Sequence, residues 1–403
     1  MSRQPQLSYS EALDIVISNA ASLKIEVIPV EQSLGRVLAE DIKADRDFPP
    51  FDRVTMDGIA VHSDALKSGR KEFKVEKVIA AGDKQDVLSS KENCVEIMTG
   101  AVVPLQCDTI IRYEDLKISE GIAYLQNEKI KPGQNVHFQG LDHKKGDLIV
   151  ERGCAISPAE ISVAATVGKD ELKVVKPLKT IVISTGDELV PIDQTPAPHQ
   201  IRRSNAFMLQ AALKRIGWDA DLMHLPDEKS IMINLLEKAF QKYQLLLFSG
   251  AVSKGKFDYL PQVLKDLGVQ EHFHKVRQRP GKPFWFGTTS QDHYVFAFPG
   301  NPVSSFMCCY TYLMPWIHES QNAMQSFRTA RLAVDMKFDK PLTLFQQVRT
   351  TTDDEGVLWA HPIRSHGSGD FVNLVNGDGI LIFPEEVSEF TAGESYQFIS
   401  YRS

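Results

Sequence analysis

Three short segments of the 403-residue chain combine glycine with hydroxyl, amide or carboxylate side chains directly after apolar runs. They are Ser184-Thr185-Gly186-Asp187-Glu188, Ser249-Gly250-Ala251-Val252-Ser253 and Pro299-Gly300-Asn301-Pro302, the last followed by Val303-Ser304-Ser305. Asn301 suits the N-cap of a helix that begins at Pro302, and Gly300 allows a ligand to approach the backbone. If the preceding runs are parallel strands, the three loops meet at one sheet edge and predict a pocket for phosphate or another oxyanion.

Basic residues cluster in a fourth segment, where Lys275, Arg277, Arg279 and Lys282 surround Pro280-Gly281. If this segment is extended, Lys275, Arg277 and Arg279 share one face. Such a cluster suits an oxyanion, although a solvated basic strand is the alternative.

Carboxylates follow the predicted strands as well, at Asp187, Glu188, Asp227 and Asp258. Carboxylates beside phosphate oxygens are typical of Mg²⁺ sites, although each could equally be a cap or a surface residue. Gly250–Phe257 nearly matches a nucleotide-binding P-loop, but Phe257 stands where Ser or Thr must hold the metal, which disfavours that interpretation.

The elements that position these residues alternate between strand and helix from about residue 177. This alternation predicts a parallel sheet that binds ligands beyond the carboxyl ends of its strands. We expect a multi-domain α/β plus β protein: a central parallel-sheet α/β domain with helices on both faces, a β-rich inserted domain and a C-terminal β domain. The expected domains are 1–46 with 146–176 (an N-terminal linking domain containing helices), 47–145 (β-rich), 177–327 (α/β) and 328–403 (C-terminal β).

Two local patterns belong to the linking domain. Ser8-Tyr9-Ser10-Glu11 is a capping box, which predicts a helix at the start of the chain. Residues 146–168 return to helical periodicity.

Composition narrows the classes of function. A net charge of −7 gives no general attraction to nucleic acid or to anionic membranes. The five cysteines are scattered without CxxC spacing, which favours reduced thiols over a zinc site. Since no leader or membrane-spanning run is evident, we expect a cytoplasmic protein.

Taken in order, the motifs resemble the molybdopterin molybdenumtransferase family, to which the C-terminal domain of gephyrin is related. The matching segments are Pro49-Pro50-Phe51-Asp52, Met56-Asp57-Gly58, Ile97-Met98-Thr99-Gly100-Ala101, Asp108-Thr109, Ser184–Leu189, Ser204-Asn205, Ser249-Gly250, Pro280-Gly281-Lys282-Pro283 and Pro299–Ser304. The resemblance covers nearly the whole chain.

The resemblance implies a Mg²⁺-dependent transferase of molybdenum cofactor biosynthesis that inserts molybdate into adenylylated molybdopterin and releases AMP. It implies a homodimer and suggests a molybdopterin adenylyltransferase and apo-molybdoenzymes as partners. The implied catalytic residues are Asp57, Thr99, Asp142, Glu188, Asp227, Asp258, Lys275 and Lys282, with Glu188, Asp227 and Asp258 as metal ligands. The implied substrate-binding residues are Ser249, Gly250, Ser253, Arg279, Pro299, Gly300, Asn301, Pro302, Ser304 and Arg349.

Some positions depart from the family pattern. Ala251 replaces a glycine, and Arg279 stands where the family usually has lysine. The family's arginine on the strand around Phe345 falls near Gln347, with Arg349 two positions on. The family's serine after the Gly-Ser turn is replaced by Val372 or Asn373. These departures favour, as the alternative, a non-catalytic pterin-binding or scaffold paralogue on the same fold. The preceding adenylylation step, which consumes ATP, is a further alternative.

Overall fold

The computed structural model describes residues 6–127, 129–250, 259–324, 328–364, 367 and 369–402. The chain divides into two compact units, which we call the large unit (Met1–Glu40, Arg152–Ile161 and Glu171–Ser403) and the small unit (Asp41–Glu151 and Ser162–Asp170). Across the described part of the chain, every helix is too short or too polar to cross a membrane.

The chain begins with a capped helix, α1 (Tyr9–Ser18). The Glu11 N–H donates to the Ser8 hydroxyl over 3.2 Å, and the Ser8 N–H donates to the Glu11 carboxylate over 2.7 Å. The predicted capping box is therefore confirmed. The short strands β1 (Ile25–Pro29) and β2 (Ile42–Lys43) follow.

The small unit is built around a six-stranded sheet with the order β7-β4-β6-β5-β9-β8. Its elements are β3 (Arg53–Val54), β4 (Gly58–Val61), α2 (Ser63–Lys67), β5 (Glu72–Ile79), β6 (Asn93–Ile97), β7 (Thr109–Arg112), β8 (Leu116–Ser119), β9 (Ile122–Leu125), β10 (Val136–His137) and β11 (Leu148–Val150). Neighbouring residues such as Ile59 and Ala60 are buried in separate clusters, because successive side chains of a strand point to opposite faces. The predicted β-rich inserted domain is confirmed.

Residues 146–168 are only partly helical, which corrects the helical prediction for this stretch. The β-branched run of β11 pairs with β2, and the helix α3 begins only at Pro158 and ends at Thr166. Strand β12 (Glu171–Val175) then pairs antiparallel with β1. Both pairings join the stretches 1–46 and 146–176, while the four domain boundaries stay a prediction.

The α/β domain has a mixed sheet with the order β16-β13-β17-β21-β20-β18. Its elements are β13 (Thr180–Thr185), β14 (Leu189–Val190), β15 (Ile201–Arg202), α4 (Ser204–Lys214), β16 (Ala220–Leu225), α5 (Lys229–Lys242), β17 (Leu245–Ser249), α6 (Leu260–Asp266), β18 (Gln270–His274), β19 (Gln278–Arg279), β20 (Trp285–Thr288), β21 (Tyr294–Phe298), α7 (Pro302–Cys308), a π-helical segment (Cys309–Leu313) and α8 (Met314–Ser320). The first four strands are parallel as expected, whereas β20 runs antiparallel to them. The edge strand β18 pairs antiparallel with β20 and therefore runs in the same direction as the first four.

Helices cover both faces of this sheet. Val182, Leu247 and Phe296 pack with residues of α1, α4, α7 and α8 in one cluster. Ile183 and Leu246 pack with residues of α5 and α6 in the other. Because both faces are buried, the central strands read as continuous apolar runs.

The C-terminal residues form a closed five-stranded barrel. Its elements are β22 (Arg328–Leu332), β23 (Met336–Lys337), β24 (Thr343–Thr352), β25 (Leu358–Pro362), a 3₁₀ segment (Phe371–Asn376), β26 (Gly379–Phe383), β27 (Glu389–Phe390) and β28 (Ser395–Ser400). The pairings run β24-β25-β22-β28-β26 and return from β26 to β24. Strand β19 of the α/β domain adds in parallel to β24, so the basic segment runs along the barrel.

Candidate active site

The three glycine loops leave the central sheet side by side. Ser184 pairs in register with Ser249, and Ser249 pairs with Phe298, so β13, β17 and β21 end at the same level. The Gly250 N–H donates to the Phe298 carbonyl over 3.1 Å. The expected convergence at one edge is therefore present. Ser253 and Asp258, together with Ala251, lie outside the described residues.

The turn after β21 begins the helix as expected, with Asn301 preceding Pro302. The Asn301 side chain makes no capping hydrogen bond to the helix. Instead, the Asn205 amide donates to the Gly300 carbonyl over 2.8 Å, and the Ser305 hydroxyl donates to the Pro299 carbonyl. A Cβ atom at Gly300 would meet no atom within 4 Å, so the backbone of this turn is open to a ligand.

Three carboxylates gather at the ends of β13 and β16. The Asp227 N–H donates to the Asp187 carboxylate over 3.2 Å, and the Glu188 carboxylate folds over Gly186, 2.5 Å from where a Cβ atom would stand. Partial burial and the charges of Asp187 and then Glu188 raise the pKa of Asp227. No group of three or more His, Cys, Asp or Glu residues suited to a metal ion is found where the structure is described.

His224 belongs to this edge, although sequence reasoning missed it. Its Nδ1 lies 3.0 Å from the Ser184 hydroxyl, because β16 and β13 pair in register at these residues. Burial and then the charge of Arg203 lower the pKa of His224. Its position at the carboxyl end of a predicted strand was the available signal.

The basic segment does not present one face of cations. Lys275 has a φ of +89°, which breaks the extended conformation, and β19 then pairs with the barrel. The Arg277 guanidinium binds both oxygens of Glu385, over 2.7 and 3.1 Å. The extended conformation on which the shared face depended therefore fails at Lys275, and Arg277 joins the segment to the barrel.

Arg279 and Lys282 instead line a cavity of about 960 Å³ between the α/β domain and the barrel. Pro299, Asn301 and Ser304 line it as well, and the barrel contributes Lys337, Lys340 and Arg364. Five basic and no acidic side chains line this cavity among the described residues. The guanidinium of Arg279 lies 5.9 Å from the ring centre of Phe338, so an aromatic wall adjoins the charges.

The barrel residues differ from expectation. Arg349 is exposed on β24 opposite His361 and is not part of the described cavity lining. Arg364, which follows β25, lines the cavity and was missed. Only its place before the sequence Gly367-Ser368-Gly369 offered a signal.

The small unit brings the other expected residues into two hydrogen-bonded groups. Asp57 accepts hydrogen bonds from the Thr99 N–H over 2.6 Å and from the Thr99 hydroxyl over 2.7 Å. These two bonds lower the pKa of Asp57. Asp142 lies 2.9 Å from Nε2 of His137, whose Nδ1 lies 3.2 Å from Arg53. Arg53 lies in β3, and the Gly100 N–H donates to the carbonyl of Val54 in the same strand over 2.9 Å, so both groups adjoin β3.

Comparison with known proteins covers nearly the whole chain. Residues 7–168 match the MoeA N-terminal region (domain I and II), residues 181–319 match a probable molybdopterin binding domain, and residues 329–401 match the MoeA C-terminal region (domain IV). A molybdopterin molybdenumtransferase of Synechocystis sp. is 37% identical, over 98% of this chain and 100% of the relative.

More distant relatives agree. A molybdopterin molybdenumtransferase of Staphylococcus aureus is 30% identical over 96% of this chain and 94% of that protein. The crystal structure of a molybdopterin biosynthesis MoeA protein from Pyrococcus horikoshii superposes with a TM-score of 0.83 at 26% identity, over 98% of this chain and 100% of that one.

Proposed function

Because this chain belongs to the molybdopterin molybdenumtransferase family and is a transferase of molybdenum cofactor biosynthesis, we propose that it inserts molybdate into adenylylated molybdopterin and releases AMP. The observation that carries this proposal is the cavity lined by five basic and no acidic described side chains. Molybdate and the nucleotide phosphates are anions, and a concave basic site strengthens their attraction.

The shape and lining of the cavity also suit an organic substrate. Its volume of about 960 Å³ far exceeds the space that a tetrahedral oxyanion needs, and Phe338, Phe345 and Ile363 supply apolar wall. Arg279 and Lys282 would hold the anionic groups, while the apolar wall would orient the ring system. Pro299 and Asn301, the residues on either side of Gly300, line the cavity, so the open turn at Gly300 adjoins it.

We propose Mg²⁺ as the cofactor, with carboxylates that follow the strands as its ligands. Carboxylate oxygens are the ligands that Mg²⁺ prefers. Burial and then the charges of Asp187 and Glu188 raise the pKa of Asp227, and a cation would offset the repulsion between these carboxylates. Glu188 and Asp227 would hold the ion together with Asp258. When bound, Mg²⁺ would supply charge neutralisation at the phosphate oxygens of the adenylate.

We assign further active-site roles to Asp57, Thr99, Asp142, Lys275 and Ser249 on the family resemblance. Thr99 holds Asp57 ionised by two hydrogen bonds, which supports a role for Asp57 as a fixed negative charge. We propose that the protein acts as a homodimer. A cytoplasmic location suits its five free thiols.

The decisive experiment measures AMP release from adenylylated molybdopterin with Mg²⁺ while molybdate is titrated. Release that saturates with molybdate supports the transferase. Adenylate that stays bound without release contradicts it and favours a non-catalytic pterin-binding paralogue. Activity that instead consumes ATP on molybdopterin identifies the preceding adenylylation step.

A further inference from the structure

We propose that Arg364 is the residue through which the C-terminal barrel binds a tetrahedral oxyanion, in place of Arg349. The inference rests on the proposed function, because it takes the basic cavity as the substrate site. It concerns a position that follows β25 rather than one on β24.

The residues of β24 that line the cavity are uncharged, and the last of them, Gln347, is already hydrogen-bonded. Gln347 is 5% exposed and lines the cavity. Its Nε2 donates to the Asn373 carbonyl over 2.6 Å and to the Tyr401 hydroxyl over 3.1 Å. Both amide protons are therefore used in holding the 3₁₀ segment to the barrel, and none is left for an anion.

Arg349 does not take the place of Gln347 in the wall of the cavity. It lies on the same side of β24 as Gln347, two residues further along, where the strand is exposed and pairs with β25 at His361. Two residues of strand displace its backbone by about 7 Å. Among the described residues, the cavity lining reaches Gln346 and Gln347 and does not include Arg349.

The pairing of β24 with β25 holds Ile363, the residue before Arg364, beside Gln347. The Ile363 N–H donates to the Gln347 carbonyl over 2.9 Å, and the Gln346 amide donates to the Ile363 carbonyl over 2.9 Å. The residue before Arg364 is thus held at both backbone groups. Arg364 itself lines the cavity.

The charge of Arg364 is available to a ligand in a way that the charge of Lys337 is not. Lys337 pairs with Asp339 over 3.7 Å and with Glu389 over 3.1 Å. Arg364 takes part in none of the ion pairs recorded for the described chain. A guanidinium can bind two oxygens of one oxyanion, which suits both molybdate and a phosphate group of the nucleotide.

The test compares Arg364→Gln with the matched control Arg349→Gln, an arginine of the same barrel outside the described lining. Binding of molybdate alone and of AMP alone is measured by calorimetry with the full chain, and AMP release is measured against molybdate. We expect Arg364→Gln to weaken binding of one oxyanion about ten-fold or more, as for the loss of a charged hydrogen bond. Arg349→Gln should stay within about two-fold, and Arg364→Lys should lie between them.

The separate binding measurements with molybdate and with AMP identify which oxyanion Arg364 binds. Weakened molybdate binding with normal AMP binding assigns Arg364 to molybdate, and the reverse assigns it to the phosphate. The proposal is overturned if Arg364→Gln binds both anions normally, or if Arg349→Gln weakens binding as much. A wild-type protein that binds molybdate but releases no AMP would contradict the proposed function and not this assignment.

Discussion

Neighbouring basic residues of the segment from Lys275 to Lys282 have different roles. Arg277 is ion-paired with Glu385, whereas Arg279 and Lys282 line the cavity. The sequence indicates a cluster of cations but not this division, because the left-handed backbone at Lys275 and the distant partner Glu385 belong to the tertiary structure. Of the four basic residues, Arg279 and Lys282 are the two that line the cavity.

For the single residue Asp227, we predict how its contribution to stability depends on pH. Its pKa is raised in the folded protein by partial burial, Asp187 and Glu188. A raised carboxyl pKa means that stability is present below the unfolded pKa, about 3.9, and is lost as the pH rises through the folded pKa. Without Mg²⁺, Asp227→Asn should therefore raise Tm by about 1–2 °C at pH 7, and the difference should vanish near pH 4.

Thermal unfolding across this pH range checks the prediction, with Glu237→Gln on the exposed side of α5 as the control. A variant that is less stable than wild type at every pH would contradict it. Millimolar Mg²⁺ should raise the Tm of the wild type more than that of Asp227→Asn, because the variant loses a ligand.

At the scale of elements, the central sheet shows what sequence patterning can determine. The apolar runs of β13, β17 and β21 are predicted correctly as buried parallel strands that end at one edge. The antiparallel direction of β20 was not predicted. A buried antiparallel strand is apolar on both faces, so its composition does not distinguish it from a parallel one.

We predict that the ion pair between Arg277 and Glu385 stabilises the folded chain. Glu385 is 14% exposed and binds Arg277 through two oxygens, so Glu385→Gln leaves a partly buried guanidinium without its charge partner. We expect a loss of about 1–2 kcal/mol in unfolding free energy, measured by urea denaturation.

Glu389→Gln is the matched control, because it removes the exposed pair with Lys337 in the same barrel. Its cost should be below about 0.5 kcal/mol. Equal losses in the two variants would contradict the larger contribution expected of the pair with Arg277.

At the scale of the whole molecule, the homodimer is the prediction to check. The chain weighs 45.1 kDa, so sedimentation equilibrium should give a mass of about 90 kDa. Tm should rise with protein concentration, because association stabilises the folded chain. A mass of one chain at micromolar concentration, with a Tm independent of concentration, would contradict the dimer.

The sequence by itself determined the capping box of α1, the order of domain types and the loops that converge after β13, β17 and β21. These features depend on local spacing and on hydrophobic periodicity, which can be read along the chain. Only the tertiary structure decided that Arg364 rather than Arg349 lines the cavity and that His224 meets Ser184. Those outcomes depend on strand register, which pairs residues far apart in sequence, and a shift of one residue would turn each side chain to the other face.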